Sequence, residues 1–385
     1  MLAAPTGSGG AGYSPNPERS PTSQQERRLV QSLFDLRRGR LDDAIRNASY
    51  LVKQQPDFLL AQLVYADLLK AQTEPLPSFG YRFRRDLIAG HLNEARARLQ
   101  RYVASPPLNG APEALLQLPP GVPAAIVVNL ESYRLYLFEN RDGRFVRTRD
   151  FYVSIGKGGA DKRREGDDKT PVGVYVVNEY LPGSRLPDMY GPGAFPINYP
   201  NGWDRAQGRT GSGIWIHGTD SASYSRPPLS SMGCVTLSNE DFTSLQGRVK
   251  VGRTPVIVTD GIHWVEPQRI ETQRRNLAAT VEAWRLDWES RDTDRYLAHY
   301  SKDFRAGNMD RTAFGSHKRR VNAGKQFIEV GLDEMSAFRY PGERDLILVD
   351  FVQTYRSDSF QGVKRKHQYW RREGNAWRIV LEESI

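Results

Sequence analysis

Cys234 is the only cysteine in a chain of 385 residues, and His217 stands seventeen positions before it. Each has a glycine beside it, Gly218 after the histidine and Gly233 before the cysteine. A thiol becomes a useful nucleophile when a base takes its proton, and an imidazole within hydrogen-bond reach supplies that base. Ile214, Trp215 and Ile216 read as a short buried strand delivering His217 to its exposed end, and residues 234–237 read as a second strand that starts at the thiol. The polar, proline-containing loop between them brings both strand ends together. Gly233 lets the main chain turn sharply, so that the N–H groups of Gly233 and Cys234 can face a developing oxyanion. The plainer alternative is a small buried cysteine and a structural histidine. The flanking glycines favour chemistry.

The run from Gly213 to Asn239, with HG, a loop, S-x-G-C and a strand, resembles the YkuD family of L,D-transpeptidases, cysteine enzymes of bacterial peptidoglycan. Gly166 to Tyr175 (GDDKTPVGVY) is similar to a second segment of that family. The two motifs carry the resemblance over Pro123 to Glu266, a little over a third of the chain. It implies a β-rich sandwich in which Cys234 attacks, His217 is the base and the Gly218 carbonyl orients the imidazole. Gly233 and Cys234 form the oxyanion hole, and Ser231, Met232 and Tyr190 are candidate substrate contacts. The implied substrate is a peptidoglycan tetrapeptide stem, cut between the L-centre of diaminopimelate and the terminal D-alanine. The thioester then passes to an amine (L,D-transpeptidase) or to water (L,D-carboxypeptidase).

Two positions depart from the family pattern. Met232 replaces a second histidine, and Thr236 stands where many members have arginine. A site with weaker amine recruitment leans towards water, or towards a hydrolase that detaches peptidoglycan-linked protein. A reading of another class is a catalytically inactive cell-wall-binding scaffold. A third arrangement, papain-like, would pair Cys234 with His263 downstream. No cofactor is expected, and the six histidines are too dispersed for a metal cluster.

A hydrophobic content of 39% with 26% charged residues describes a soluble protein. No apolar run reaches the ~20 residues needed to cross a membrane. The first residues, MLAAPTGSGG, lack a signal-peptide core, yet the family resemblance implies export, so a trimmed periplasmic protein is expected. One cysteine excludes an internal disulfide. The net charge of +9 is spread over scattered basic clusters without a nucleic-acid motif, which argues for solvated faces beside anionic envelope polymers and against nucleic-acid binding.

The elements that must position the pair give a multidomain α+β chain. Residues 1–22 are Gly-, Pro- and Ser-rich and read as disordered. Residues 23–105 carry helical periodicity, with one tetratricopeptide-like helix pair, and suggest a platform for a protein partner. Residues 106–122 are proline-rich and read as a linker. Residues 123–266 switch to strand periodicity, with a long aperiodic loop from Leu181 to Gly213 that reads as a lid or substrate wall. Residues 267–385 begin with an amphipathic helix over Ile270 to Ser290 and a second helix in TDRYLAHYSKDF, then alternate as strands. That order resembles the cone-shaped nuclear transport factor two and SnoaL-like fold, suited to binding carbohydrate, peptide or another subunit. Asp350 there reads as an exposed strand carboxylate. An oligomer is compatible with this organisation.

Overall fold

The computed structural model describes residues 22–76, 78–80, 85–107 and 109–385. The disordered start expected over residues 1–22 falls outside the described residues except for Thr22, as do residues 82–84 of one basic cluster. Thr22 is buried, its hydroxyl 3.0 Å from that of Tyr102.

Among the described residues four helices come first: α1 (Gln24–Arg37), α2 (Leu41–Gln54), α3 (Leu59–Lys70) and α4 (Arg85–Val103). Leu29, Ala44, Ala48, Leu51, Leu60, Ala61, Val64 and Leu68, at helical spacing, form their shared core. Ser23 caps α1, accepting from the Glu26 N–H at 3.3 Å. The Glu26 side chain does not turn back to complete a capping box. It bridges Arg98 on α4 and Arg134 of the next domain, at 2.8 and 2.7 Å, with all three side chains buried.

The expected linker is built into two sheets, a two-stranded one and the large C-terminal one. Here β1 (Ala111–Pro112) pairs with a strand ending the catalytic region, and β2 (Leu115–Gln117) forms an edge of the C-terminal sheet. The central sheet has the order β5-β4-β3-β13-β7, from β3 (Ala124–Asn129), β4 (Arg134–Arg141), β5 (Arg144–Tyr152), β7 (Gly173–Val176) and β13 (Pro255–Thr259). Two-stranded β6 (Ile155–Gly156) and β11 (Leu229–Ser231) flank it. The Leu181–Gly213 loop is more regular than expected. It contains β8 (Leu181–Pro182), two short 3-10 turns, β9 (Gly193–Pro196) and α5 (Gly202–Ala206), and it completes a sheet of order β12-β10-β9-β8. In that sheet β10 is Trp215–His217 and β12 is Val235–Thr236, followed by α6 (Asn239–Gln246).

After β14 (Trp264–Val265), α7 (Pro267–Glu289) starts with proline at its first position and buries Leu277, Val281, Trp284 and Trp288 against the last sheet. The second expected helix is shorter than expected: α8 spans Thr293–Leu297, and Tyr300–Ala306 is strand β15. Tyr300 and Phe304 lie in the cone core, so their burial within a seven-stranded sheet overrides the helical pattern. Then come β16 (Met309–Asp310), α9 (Arg311–Asn322), β17 (Ile328–Arg339), β18 (Leu346–Ser357), β19 (Gln361–Glu373) and β20 (Ala376–Ser384). Asp350 is half-buried and ion-paired with Arg365 at 2.9 Å.

The two large sheets stack face to face. On β3, Ile126 and Val128 point into the catalytic core while Ala125 and Val127 point the other way, into a second cluster with Phe338, Leu346, Leu348 and Tyr369. A sheet buried on both faces explains why β3 reads as a continuous apolar run. Trp203, from the segment expected to be a lid, stacks on Tyr369 at 5.5 Å, so this half of the segment fastens domains together.

Candidate active site

The parallel strands β10 and β12 pair Ile216 with Val235 and His217 with Thr236. Side chains alternate along a strand. Ile214, Ile216, Val235 and Leu237 all lie in the hydrophobic core. Trp215, His217, Cys234 and Thr236 are left on the opposite face, with Cys234 a diagonal neighbour of His217 across the ladder. Core burial of the isoleucines and valine sets this register, and the register puts His217 and Cys234, the residue just before β12, on the same side of the ladder.

His217 Nδ1 lies 2.6 Å from the Gly218 carbonyl. A carbonyl only accepts, so Nδ1 carries the hydrogen and Nε2 keeps a lone pair. Nε2 is 3.4 Å from Thr236 Oγ1. Burial lowers His217 to about 4, helped by the Arg226 charge, with the Gly218 bond opposing. The ring is neutral at pH 7 and free to accept a proton. Cys234 is half-buried, its thiol bonded to Gly213 O at 3.5 Å. Burial pushes the thiol above its ordinary value, although the Trp215 backbone and the charges of Arg226 and Lys162 pull it down. The resting pair is neutral thiol and neutral imidazole.

The Ser231-to-Cys234 turn is pinned from within. Ser231 is buried; its hydroxyl donates to Cys234 O at 2.6 Å and accepts from the Gly233 N–H at 3.1 Å. One of the two expected oxyanion donors is thus engaged in this state. Gly233 has φ +119°, and an added Cβ would lie 2.8 Å from Lys169 O, so only glycine fits without displacement. Gly218 is equally enclosed, a Cβ falling 2.4 Å from Asn239 Oδ1. Met232 is 69% exposed at the tip of the turn. The Tyr190 ring centre stands 4.9 Å from that of His217 and 4.9 Å from that of Trp215, forming a wall.

The second sequence motif reaches the first through Thr170. Its buried hydroxyl accepts from the Gly156 N–H at 2.9 Å and donates to Gly233 O at 3.0 Å. Asp167 organises the approach, accepting from the N–H groups of Arg163, Arg164 and Lys169 and from Lys162 Nζ. Those donors outweigh burial and hold its carboxyl well below the usual range.

Sequence reasoning missed Arg226 and Thr170 as parts of the site. Arg226 was visible as the one cation between His217 and Cys234. His263 is exposed on the wall of a cavity of about 880 Å³, together with Glu113, Asp260, Arg269, Arg339 and Arg344; neither Cys234 nor His217 lines it. Among the described residues no cluster of three or more His, Cys, Asp or Glu is placed to hold a metal ion. Nor is any described helix long and apolar enough to cross a membrane.

Fold and site define a β-rich domain with one thiol and one imidazole on a single sheet face, fused to a cone-shaped α+β domain. Residues 123–258 match the YkuD L,D-transpeptidase catalytic domain, and residues 276–383 match the Cds6 C-terminal NTF2-like domain. The chain belongs to the YkuD L,D-transpeptidase family. It is 30% identical to Bdellovibrio bacteriovorus Bd1075, covering 71% of this chain and 98% of that one with a TM-score of 0.63. The helical cell shape determining protein Pgp2 of Campylobacter jejuni shares the fold at 24% identity, covering 73% of this chain and 96% of that one, with a TM-score of 0.59. YafK of Escherichia coli, provisionally named an L,D-transpeptidase, is 31% identical over 134 residues, 29% of this chain. The chain spans about half the length, 49%, of the curated relatives it matches.

Proposed function

We propose that this protein is a periplasmic cysteine enzyme that cleaves the tetrapeptide stem of peptidoglycan at the L-centre of diaminopimelate. The observation that carries the reading is the His217–Gly218 bond, which leaves Nε2 as a base on the sheet face that also presents Cys234. The thiol proton passes to Nε2 as sulfur attacks the carbonyl carbon. The developing oxyanion takes the Cys234 N–H and, once Ser231 releases it, the Gly233 N–H. The C–N bond breaks, the imidazolium gives its proton to the departing D-alanine amine, and a thioester remains. Water or an amine then attacks, His217 again taking the proton, and the thiol is regenerated. No cofactor or metal enters these steps.

Met232, apolar and exposed beside the thiol, favours water over an amine as acceptor, making L,D-carboxypeptidation the leading outcome. Detachment of peptidoglycan-linked protein follows the same chemistry at a different leaving amine. The likeness to a protein that determines cell shape supports a role in shaping the wall by trimming stems, with the cone-shaped domain engaging wall carbohydrate or peptide. Incubation with purified disaccharide-tetrapeptides, followed by mass spectrometry, tests this. Tripeptide and D-alanine without dimers identify the carboxypeptidase, Cys234-dependent dimers identify the transpeptidase, and unchanged tetrapeptide rejects both.

A further inference from the structure

The loop joining the two site strands is gripped by the N-terminal helices. Tyr224 lies in the helical core, its ring centre 4.3 Å from that of Phe58, and its N–H donates to Asp57 O at 3.2 Å. The Ser225 hydroxyl donates to Glu94 Oε1 at 2.6 Å. Glu94, fully buried on α4, is held by Arg98, and Arg98 connects through Glu26 to Arg134 on β4. On the other side, the Arg226 carbonyl accepts from the hydroxyls of Tyr152 and Ser154, each at 2.9 Å. Two domains thus fix the backbone around Arg226.

That fixation aims one guanidinium. Arg226 Nε donates to Thr219 Oγ1 at 2.9 Å, and Nη2 donates to Met189 O at 3.1 Å and Asp220 Oδ2 at 3.4 Å. Thr219 follows Gly218, whose carbonyl holds the imidazole, and Met189 precedes Tyr190, whose ring packs on it. Arg226 ties together the two turns that bracket His217.

We propose that Arg226 is a positioning residue for the His217–Cys234 pair and that the N-terminal helices are the element that places it. This rests on reading that pair as the reacting groups. The helices are then part of the catalytic unit, and anything that shifts α4 against the sheet shifts Arg226. Its charge also depresses both His217 and the thiol. The other groups recorded against the imidazole are Tyr190 from the preceding turn and Thr236 from β12, with Asp220 beside Arg226 and Cys234 one residue before β12.

The test is the pH profile of Cys234 alkylation by iodoacetamide in the full chain, read by intact mass, which needs no peptidoglycan. Arg226→Ala is expected to slow alkylation at neutral pH about tenfold, moving the profile about one unit to higher pH. Arg226→Lys, which keeps the charge, restores most of that shift. Ser225→Ala, which removes only the bond to Glu94, shifts the profile the same way by a smaller factor. Profiles of Arg226→Ala and Ser225→Ala that overlay the wild type, at unchanged melting temperature, would overturn the proposal. Should Arg226→Ala not fold, Arg226→Lys with a wild-type profile and Ser225→Ala with a shifted one support it, and an unshifted Ser225→Ala rejects it. If these shifts occur while tetrapeptide is not consumed, the substrate assignment fails and the positioning role stands.

Discussion

Thr170 is one hydroxyl serving two buried backbone groups, and the two sequence motifs meet there. Thr170→Val keeps the shape but strands an N–H and a C=O, with an expected cost of about 2–3 kcal/mol. Turnover should fall further than stability does, because Gly233 O is one of the groups released. A denaturant midpoint measured beside kcat/KM checks both. At the same scale, His217 lowered to about 4 predicts that the acid limb of kcat/KM lies near pH 4 rather than near an ordinary histidine value. Protonation below that pH removes the base, so activity falls as pH falls through it; a limb near 6.5 would contradict the lowering of His217 by burial. Cys234, His217 and the glycines could be singled out as candidates because their types and spacing are local in sequence. Arg226 stood out only as a lone cation in the loop, and its role was hidden because its partners, Thr219 and Met189, converge only after folding.

At the scale of elements, Glu26 closes the join between α1, α4 and β4. Glu26→Gln leaves buried Arg98 and Arg134 short of a counter-charge, and the expected loss is about 3–5 kcal/mol, seen as one cooperative shift rather than separate melting of the helices. Independent melting of helices and sheet would contradict it. The four helices were legible from their apolar period. The 106–122 segment was not: its prolines signal a linker, while Leu115 and Leu116 are claimed by two different cores. Tyr300–Ala306 misled in the opposite way, because aromatic residues that suit a helix face suit a cone interior equally.

Across the whole molecule, sheet-on-sheet packing makes the catalytic and cone-shaped domains one body. A chain ending at residue 266 would expose Val127, Tyr136, Phe138, Trp203 and Ile257 together, a patch characteristic of an interface or an aggregation hazard. Such a chain is expected to bind hydrophobic dye and self-associate, which light scattering would show; a monodisperse, dye-free fragment would argue that this packing is dispensable. The sequence held half of this arrangement. A strand buried on both faces shows as an unbroken apolar run, but the run does not say what covers the second face.

The measurement that bears most directly on the account is the intact mass of the protein, quenched seconds after mixing with disaccharide-tetrapeptide. The account predicts a transient gain equal to the substrate less D-alanine on the wild type, none on Cys234→Ala, and a slower gain on His217→Ala. An adduct that survives Cys234→Ala, or tetrapeptide consumed at the wild-type rate by that variant, would contradict it.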